Sequence, residues 1–97
     1  MQQKISEIRK RDGRFVEFDQ SKITSAIFKA ANAVGGRDKK LAKQISDKVV
    51  AELENLGKTP TVEEIQDTVE KILIKEGHAA TAKAYILYRQ QRAEIRK

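Results

Sequence analysis

The chain contains no cysteine and no tryptophan, one proline (Pro60), one histidine (His78) and five aromatic residues, three Phe and two Tyr. Without cysteine there can be no disulfide framework, zinc ribbon or thiol catalysis, and the composition fits a reducing compartment. No apolar run approaches the roughly 18 residues that a membrane span needs. The opening M-Q-Q-K-I-S-E-I lacks the apolar region of a signal peptide. These absences predict a soluble, cytoplasmic protein with no membrane contact. His78 has no second His or Cys with which to build a metal site, so no metal site is predicted. There is no G-x-x-x-x-G-K-[ST] phosphate loop and no G-x-G-x-x-G turn. The carboxylates are spread along helical surfaces, and no nucleophile–base pair can be named. An enzymatic function therefore has little support in the residues.

At 97 residues the chain has the size of one domain, residues 1–97, and can bury a core unaided. Its net charge of +6 favours phosphate-bearing partners, whether nucleic acid or a nucleotide. Punctuation at Asp12-Gly13, Gly35-Gly36, Gly57 to Pro60 and Gly77 divides it into a hairpin and four helical segments. The hairpin covers about 5–18. A three-residue loop at Arg11-Asp12-Gly13, with Gly13 left-handed, pairs Lys10 with Arg14, Ile8 with Val16 and Ser6 with Phe18. That register places Ile8, Lys10, Arg14, Val16 and Phe18 on one face, and Arg9, Phe15 and Glu17 on the other. It is preferred because it keeps the apolar residues together.

Helices are expected at about 20–34, 38–56, 61–76 and 79–96. The first is capped by Asp19 and carries Ile23, Ile27, Ala30 and Val34 on one face. The second carries Leu41, Ile45, Val49, Leu53 and Leu56. The third opens on a capping box, Thr61 with Glu64, and carries Val62, Ile65, Val69, Ile72 and Leu73. The fourth places Ala82, Tyr85, Ile86, Arg89 and Ala93 together and ends in a basic tail without a C-cap glycine, which permits a fragment of a longer protein. Lys58-Thr59-Pro60 can add a third, edge strand to the hairpin. The fold class is α+β: a four-helix bundle capped at one end by a small, two- to three-stranded β-sheet that begins with the N-terminal hairpin.

Arg9, Lys10, Arg11 and Arg14 surround one tight turn, and Lys22 stands in the first turn of the next helix, whose N-terminus offers free N–H groups. Crowding like charges is unfavourable unless an anion neutralises them. Decoration of a solvated hairpin explains the same residues without a ligand.

The strings K-R-D-G-R, F-D-x-x-K-I and A-I-F-K-A, followed by T-V-E-E-I-Q-D-T-V-E-K-I-L and A-K-A-Y-I-L-Y-R-Q-Q-R-A, resemble the ATP-cone family from about Glu7 to Ala93. The resemblance implies a regulatory domain that binds ATP or dATP, with or without Mg²⁺, as an allosteric sensor. It implies a ribonucleotide reductase catalytic subunit or domain as partner, and a readout through subunit association, homo-oligomers included. It implies phosphate contacts from Lys10, Arg11, Lys22 and one of Arg89 or Arg92. Ile8 and Ile23 would pack around the base or sugar, with Ile65 and Gln66 bordering base and ribose. Val16 joins the nucleotide-binding candidates on the face of Ile8. Ile8, Val16, Ile23 and Ile65 would also be apolar in any stable version of this fold.

Many members carry an acidic residue at the place of Val16. Here the acid is Glu17, on the opposite hairpin face, which leaves the adenine amino group to backbone carbonyls. Gln66 stands where some relatives have histidine. Two other readings compete. One is a basic helical domain that binds nucleic acid or regulates transcription, although the repressor branch of the resembled family has a zinc ribbon that this chain lacks. The other is an interaction module whose nucleotide site has decayed.

Overall fold

A computed structural model describes residues 5–95, with side chains described as far as residue 91. The elements are β1 (Glu7–Arg9), β2 (Phe15–Glu17), α1 (Gln20–Ala33), α2 (Lys39–Glu54), α3 (Val62–Lys75) and α4 (Ala79–Ile95). The architecture is α+β, four helices with a two-stranded antiparallel sheet. Both ends of α1, α2 and α3 and the start of α4 fall within two residues of the expected ones. The last positions of the predicted fourth helix and the side chains of Arg92 and Ala93 lie outside the described residues.

The hairpin adopts the expected register. Ile8 pairs with Val16, and the Phe18 amide donates to the Ser6 carbonyl at 2.9 Å. The turn is closed by the Lys10 amide donating to the Arg14 carbonyl at 2.8 Å and the Gly13 amide donating to the Lys10 carbonyl at 2.9 Å. Gly13 has φ of 90°, a backbone region in which a side chain is strained.

The third strand is reduced to one parallel bridge between Arg9 and Thr61, with the Arg9 amide donating to the Pro60 carbonyl at 2.9 Å. Pro60 has no N–H to return, and Thr61 is already the N-cap of α3, so the segment turns into a helix before a ladder can form. A hairpin this short needs further support. Ile8 and Phe18 supply it by packing against the helical core, with Ile5 buried beside them.

The helices form a closed ring, α1 against α2 and α4, and α3 against α2 and α4. Ile27, Ile45, Val49, Leu53, Val69 and Leu73 fill its centre. Two residues assigned to apolar stripes lie outside it. Val34 is the C-cap of α1, and Leu56 follows the C-cap Asn55 of α2, so both sit beyond the last turn and are about half exposed. A buried serine takes up part of α2's inner face instead. Ser46 meets the Thr24 hydroxyl at 2.7 Å, accepts from the Gln20 amide at 3.0 Å and donates to the Lys43 carbonyl at 3.0 Å. That chain of bonds satisfies the buried hydroxyl and ties α1 to α2. No described helix is long and apolar enough to cross a membrane.

α3 begins at the predicted capping box. The Thr61 hydroxyl accepts from the Glu64 amide at 3.1 Å, and the Glu64 carboxylate accepts from the Thr61 amide at 2.9 Å. The Lys58 ammonium, hydrogen-bonded to Glu64, does most to hold its carboxyl below the ordinary value of 4.5, and the Thr61 amide adds to the effect. Thr61→Ala is expected to cost about 1 kcal/mol, read as a lower Tm. Because Glu64's folded pKa is depressed, its contribution is present above its unfolded value and is lost as pH falls through the folded one. Glu64→Gln should therefore flatten the acid limb of a stability–pH curve, and an unchanged limb would remove Glu64 from it.

Candidate functional site

One cavity of about 500 Å³ opens where the hairpin meets α1, α3 and α4. That is within the usual range for small-molecule sites, about 300–1,000 Å³. It collects nearly every residue singled out from the sequence: Ile8, Lys10, Arg11, Val16, Lys22, Ile23, Ile65, Gln66 and Arg89 all line it. The side chain of Arg92 lies outside the described residues. Arg9 and Arg14 do not line it. Arg9 is on the outer hairpin face, as the register requires. Arg14 is turned back onto its own loop, where its Nε donates to Asp12 Oδ2 at 2.7 Å and its backbone amide to Asp12 Oδ1 at 3.0 Å.

Each wall follows from local sequence. Alternation along β1 and β2 turns Ile8 and Val16 to one side, and the tight turn carries Lys10 and Arg11 to the rim. Helical spacing puts Lys22, Ala26 and Lys29 on one face of α1, with Ile23 beside them. Ile65 and Gln66 come from the first turns of α3, and Tyr85, Tyr88 and Arg89 from α4. The floor is apolar: Ile23, Ile65 and Tyr85 are buried, while Ile8 packs on the core from above. Burial pushes the Tyr85 hydroxyl up to about 12, so it remains a protonated donor across the ordinary pH range.

The cations divide into two groups. Lys10 is half-buried, and Lys22 and Lys29 are exposed. None of these lysines makes an ion pair among the described residues. The arginines are already engaged. Arg11 Nε meets Glu63 Oε2 at 2.5 Å, and Arg89 Nη1 meets Glu70 Oε2 and, at 3.2 Å, Asp67 Oδ1. Burial alone would lower the pKa of Arg89. The hydrogen bonds and charges of Glu70 and Asp67 outweigh it and raise the value.

The N-terminus of α1 is less open than its position suggests. Asp19 Oδ1 accepts from the Ser21 amide at 3.0 Å and from the Ser21 hydroxyl at 2.6 Å, so the cap uses the donor itself. The Ser21 hydroxyl is the leading cause of the lowered Asp19 pKa.

One lining cation was not singled out from the sequence, and one acid is placed differently from the expectation. Lys29 belongs to the A-I-F-K-A string, and its position seven residues after Lys22, on the same helical face, was the available signal. Glu17 borders the cavity despite its outward position in the register. A third feature has no sequence signature. The side-chain oxygen of Gln66 is buried without a hydrogen-bond partner among the described residues. A buried acceptor in that state costs roughly 1–3 kcal/mol until something donates to it. The cavity thus offers an apolar slot, an unfilled acceptor and a rim of ammonium groups that make no direct ion pair among the described residues, with Glu17 and Asp19 on the same wall.

Comparison with known proteins shows the family. The chain belongs to the ATP-cone family: the model described as ATP cone domain matches residues 6–94. The chain is similar to a vitamin B12-dependent ribonucleoside-diphosphate reductase of Thermoplasma acidophilum, 48% identical over 98 residues that take in 96% of this chain and 13% of the relative. It is 38% identical over 105 residues to a ribonucleoside-diphosphate reductase subunit alpha of Chlamydia muridarum, covering 97% of this chain and 10% of that protein. An anaerobic ribonucleoside-triphosphate reductase of Salmonella typhimurium is 34% identical over 85 residues, 88% of this chain and 12% of that protein. The chain spans only 10–13% of the length of these relatives.

Removing an unpaired surface cation should leave the empty domain standing. Lys22→Ala and Lys29→Ala are each expected to change stability by no more than about 0.5 kcal/mol in denaturant titrations. Any gain should be largest at low salt, where repulsion between the lysines is least screened. A loss well beyond that range would mean that the lysine has a structural partner in the folded domain.

Proposed function

We propose that this ATP cone binds one adenosine polyphosphate, ATP or dATP, in the cavity between hairpin and bundle, and acts as the effector-sensing module of a ribonucleotide reductase. The observation that carries the reading is the meeting of opposites in one cavity. An apolar slot formed by Ile8, Val16, Ile23 and Ile65 adjoins Lys10, Lys22 and Lys29, which make no direct ion pair among the described residues, although Asp19 on the same wall feels the charge of Lys22. A purine with a phosphate chain has the complementary division of character. The base lies against the aliphatic side chains, and Gln66 accepts from a donor on the base or ribose. The phosphates supply the missing counter-charge at the lysines, which act as point charges. Mg²⁺ enters with the phosphates and keeps mainly phosphate and water ligands.

The nucleotide is an effector and stays intact. Its effect is a coupling free energy: the nucleotide must bind one arrangement of hairpin, α1 and α3 more tightly than another. Different exposed surfaces in the two arrangements then favour different associations with the reductase catalytic subunit or with further copies. The chain works as one regulatory unit in the cytoplasm. It performs no turnover of its own.

Calorimetric titration with ATP, dATP and GTP, with particle size followed in parallel, tests the reading. Saturable binding of the adenine nucleotides is expected, weaker binding of GTP, and a change of assembly when the cone is joined to its reductase. Lys10→Ala and Lys22→Ala should each weaken ATP binding by about 1–3 kcal/mol, as lost charged contacts. Absence of heat with either adenine nucleotide from folded protein, or rapid stoichiometric hydrolysis of Mg²⁺-ATP, contradicts it.

A further inference from the structure

The acidic residues of α3 have a regular placement. Glu63, Asp67 and Glu70 follow at intervals of four and three residues, which aligns them along one helical face. Two cations from other parts of the fold are fastened to that stripe. Arg11 reaches it from the hairpin turn at Glu63, and Arg89 reaches it from α4 at Asp67 and Glu70. Both arginines line the cavity, whereas Asp67, Glu70 and Glu63 do not. The Arg89–Glu70 pair is sheltered, with both side chains about one-fifth exposed, while the Arg11–Glu63 pair is more open to solvent. The strongest cations for bidentate phosphate recognition are thus held against the cavity wall by carboxylates that lie outside it, and the lysines make no such pair.

We infer that the acidic stripe of α3 is a built-in competitor for the ligand, holding the guanidinium groups of Arg11 and Arg89 at the cavity wall until a polyphosphate draws them onto itself. This rests on the reading that the cavity takes an adenosine polyphosphate. In the empty domain the stripe is the anion for both arginines, and it fastens the hairpin and α4 to α3. When phosphates enter, the arginines exchange one set of oxygens for another. No covalent bond changes and no proton needs to move. Arg89 then no longer bridges α4 to α3, and Arg11 no longer bridges the hairpin to α3. The exchange makes the nucleotide's presence felt at two inter-element contacts outside the cavity. Linkage requires the converse: weakening the stripe's hold must strengthen nucleotide binding. Glu63, Asp67 and Glu70 are positioning residues in this scheme, since they act through the arginines and do not touch the ligand.

The test is a mutant cycle read by ATP titration. Asp67→Asn with Glu70→Gln should tighten ATP binding about five- to tenfold, and Arg89→Ala should weaken it. In an Arg89→Ala background the neutralised pair should give no gain, because the benefit passes through that guanidinium. A gain that persists without Arg89 is simple relief of repulsion and overturns the inference, as does a folded Asp67→Asn, Glu70→Gln variant that binds like the parent or more weakly. Should that variant fail to fold, Glu63→Gln on the more exposed pair, cycled against Arg11→Ala, gives the same decision. Nitrogen NMR of the arginine Nε–H groups adds a direct readout: both signals should move on ATP addition, and stationary signals at saturation contradict the exchange. If the parent chain binds no ATP at all, it is the nucleotide reading that falls.

Discussion

Lys10, Lys22 and Lys29 line a common cavity, and none of them makes a direct ion pair among the described residues, the Lys22 ammonium being coupled to Asp19 only through the field of its charge. Uncompensated like charges at close range are a cost in the empty state, and a multivalent anion converts that cost into affinity. Carboxylates are available nearby, since α3 alone carries Glu63, Glu64, Asp67 and Glu70. They are directed to Arg11, Arg89, Lys58 and the cap of α3 instead. The lysines make no such direct pair.

The rest of the fold holds that arrangement in place. The hairpin is too short to stand alone, yet it presents Lys10 and Arg11 at the rim because Ile8 and Phe18 are bound to the helical core. The bridge from Arg9 to Thr61 locks the hairpin to the start of α3, and the capping box fixes where that helix begins. Ile65 and Gln66 are therefore placed against the cavity by the same few residues that place the turn. A nucleotide that touches hairpin, α1, α3 and α4 together touches every described element but α2. Such a position suits an effector, whose work is to bias an arrangement rather than to undergo a reaction.

Much of this was legible in the residues. The alternation of Ile8, Lys10, Val16 and Phe18, with Gly13 at the turn, is compatible with one register that keeps the apolar side chains together, and that register is the one observed. Asp19, Thr61 and Glu64 announce helix starts because their side chains bond the orphan amides of the first turn. What was not legible depends on which elements approach in three dimensions. Arg11 and Arg89 read as free cations in sequence, and their carboxylate partners lie 52 and 19 residues away. Arg14 joined the predicted cluster, but a local bond to Asp12 took it out. Pro60 suggested a strand, and its missing N–H limited that strand to one bridge. The unfilled acceptor of Gln66 arises only from burial, which no pattern of residue types reveals.

A crystal structure determined with ATP bound tests the central claim most directly. The account predicts phosphate oxygens within hydrogen-bond reach of Lys10 and Lys22, Lys29 turned toward the chain of phosphates, and the purine between Ile8 and Ile65 with a donor on Gln66. A fully occupied nucleotide elsewhere on the domain, or a cavity still empty at saturating ATP, would contradict it.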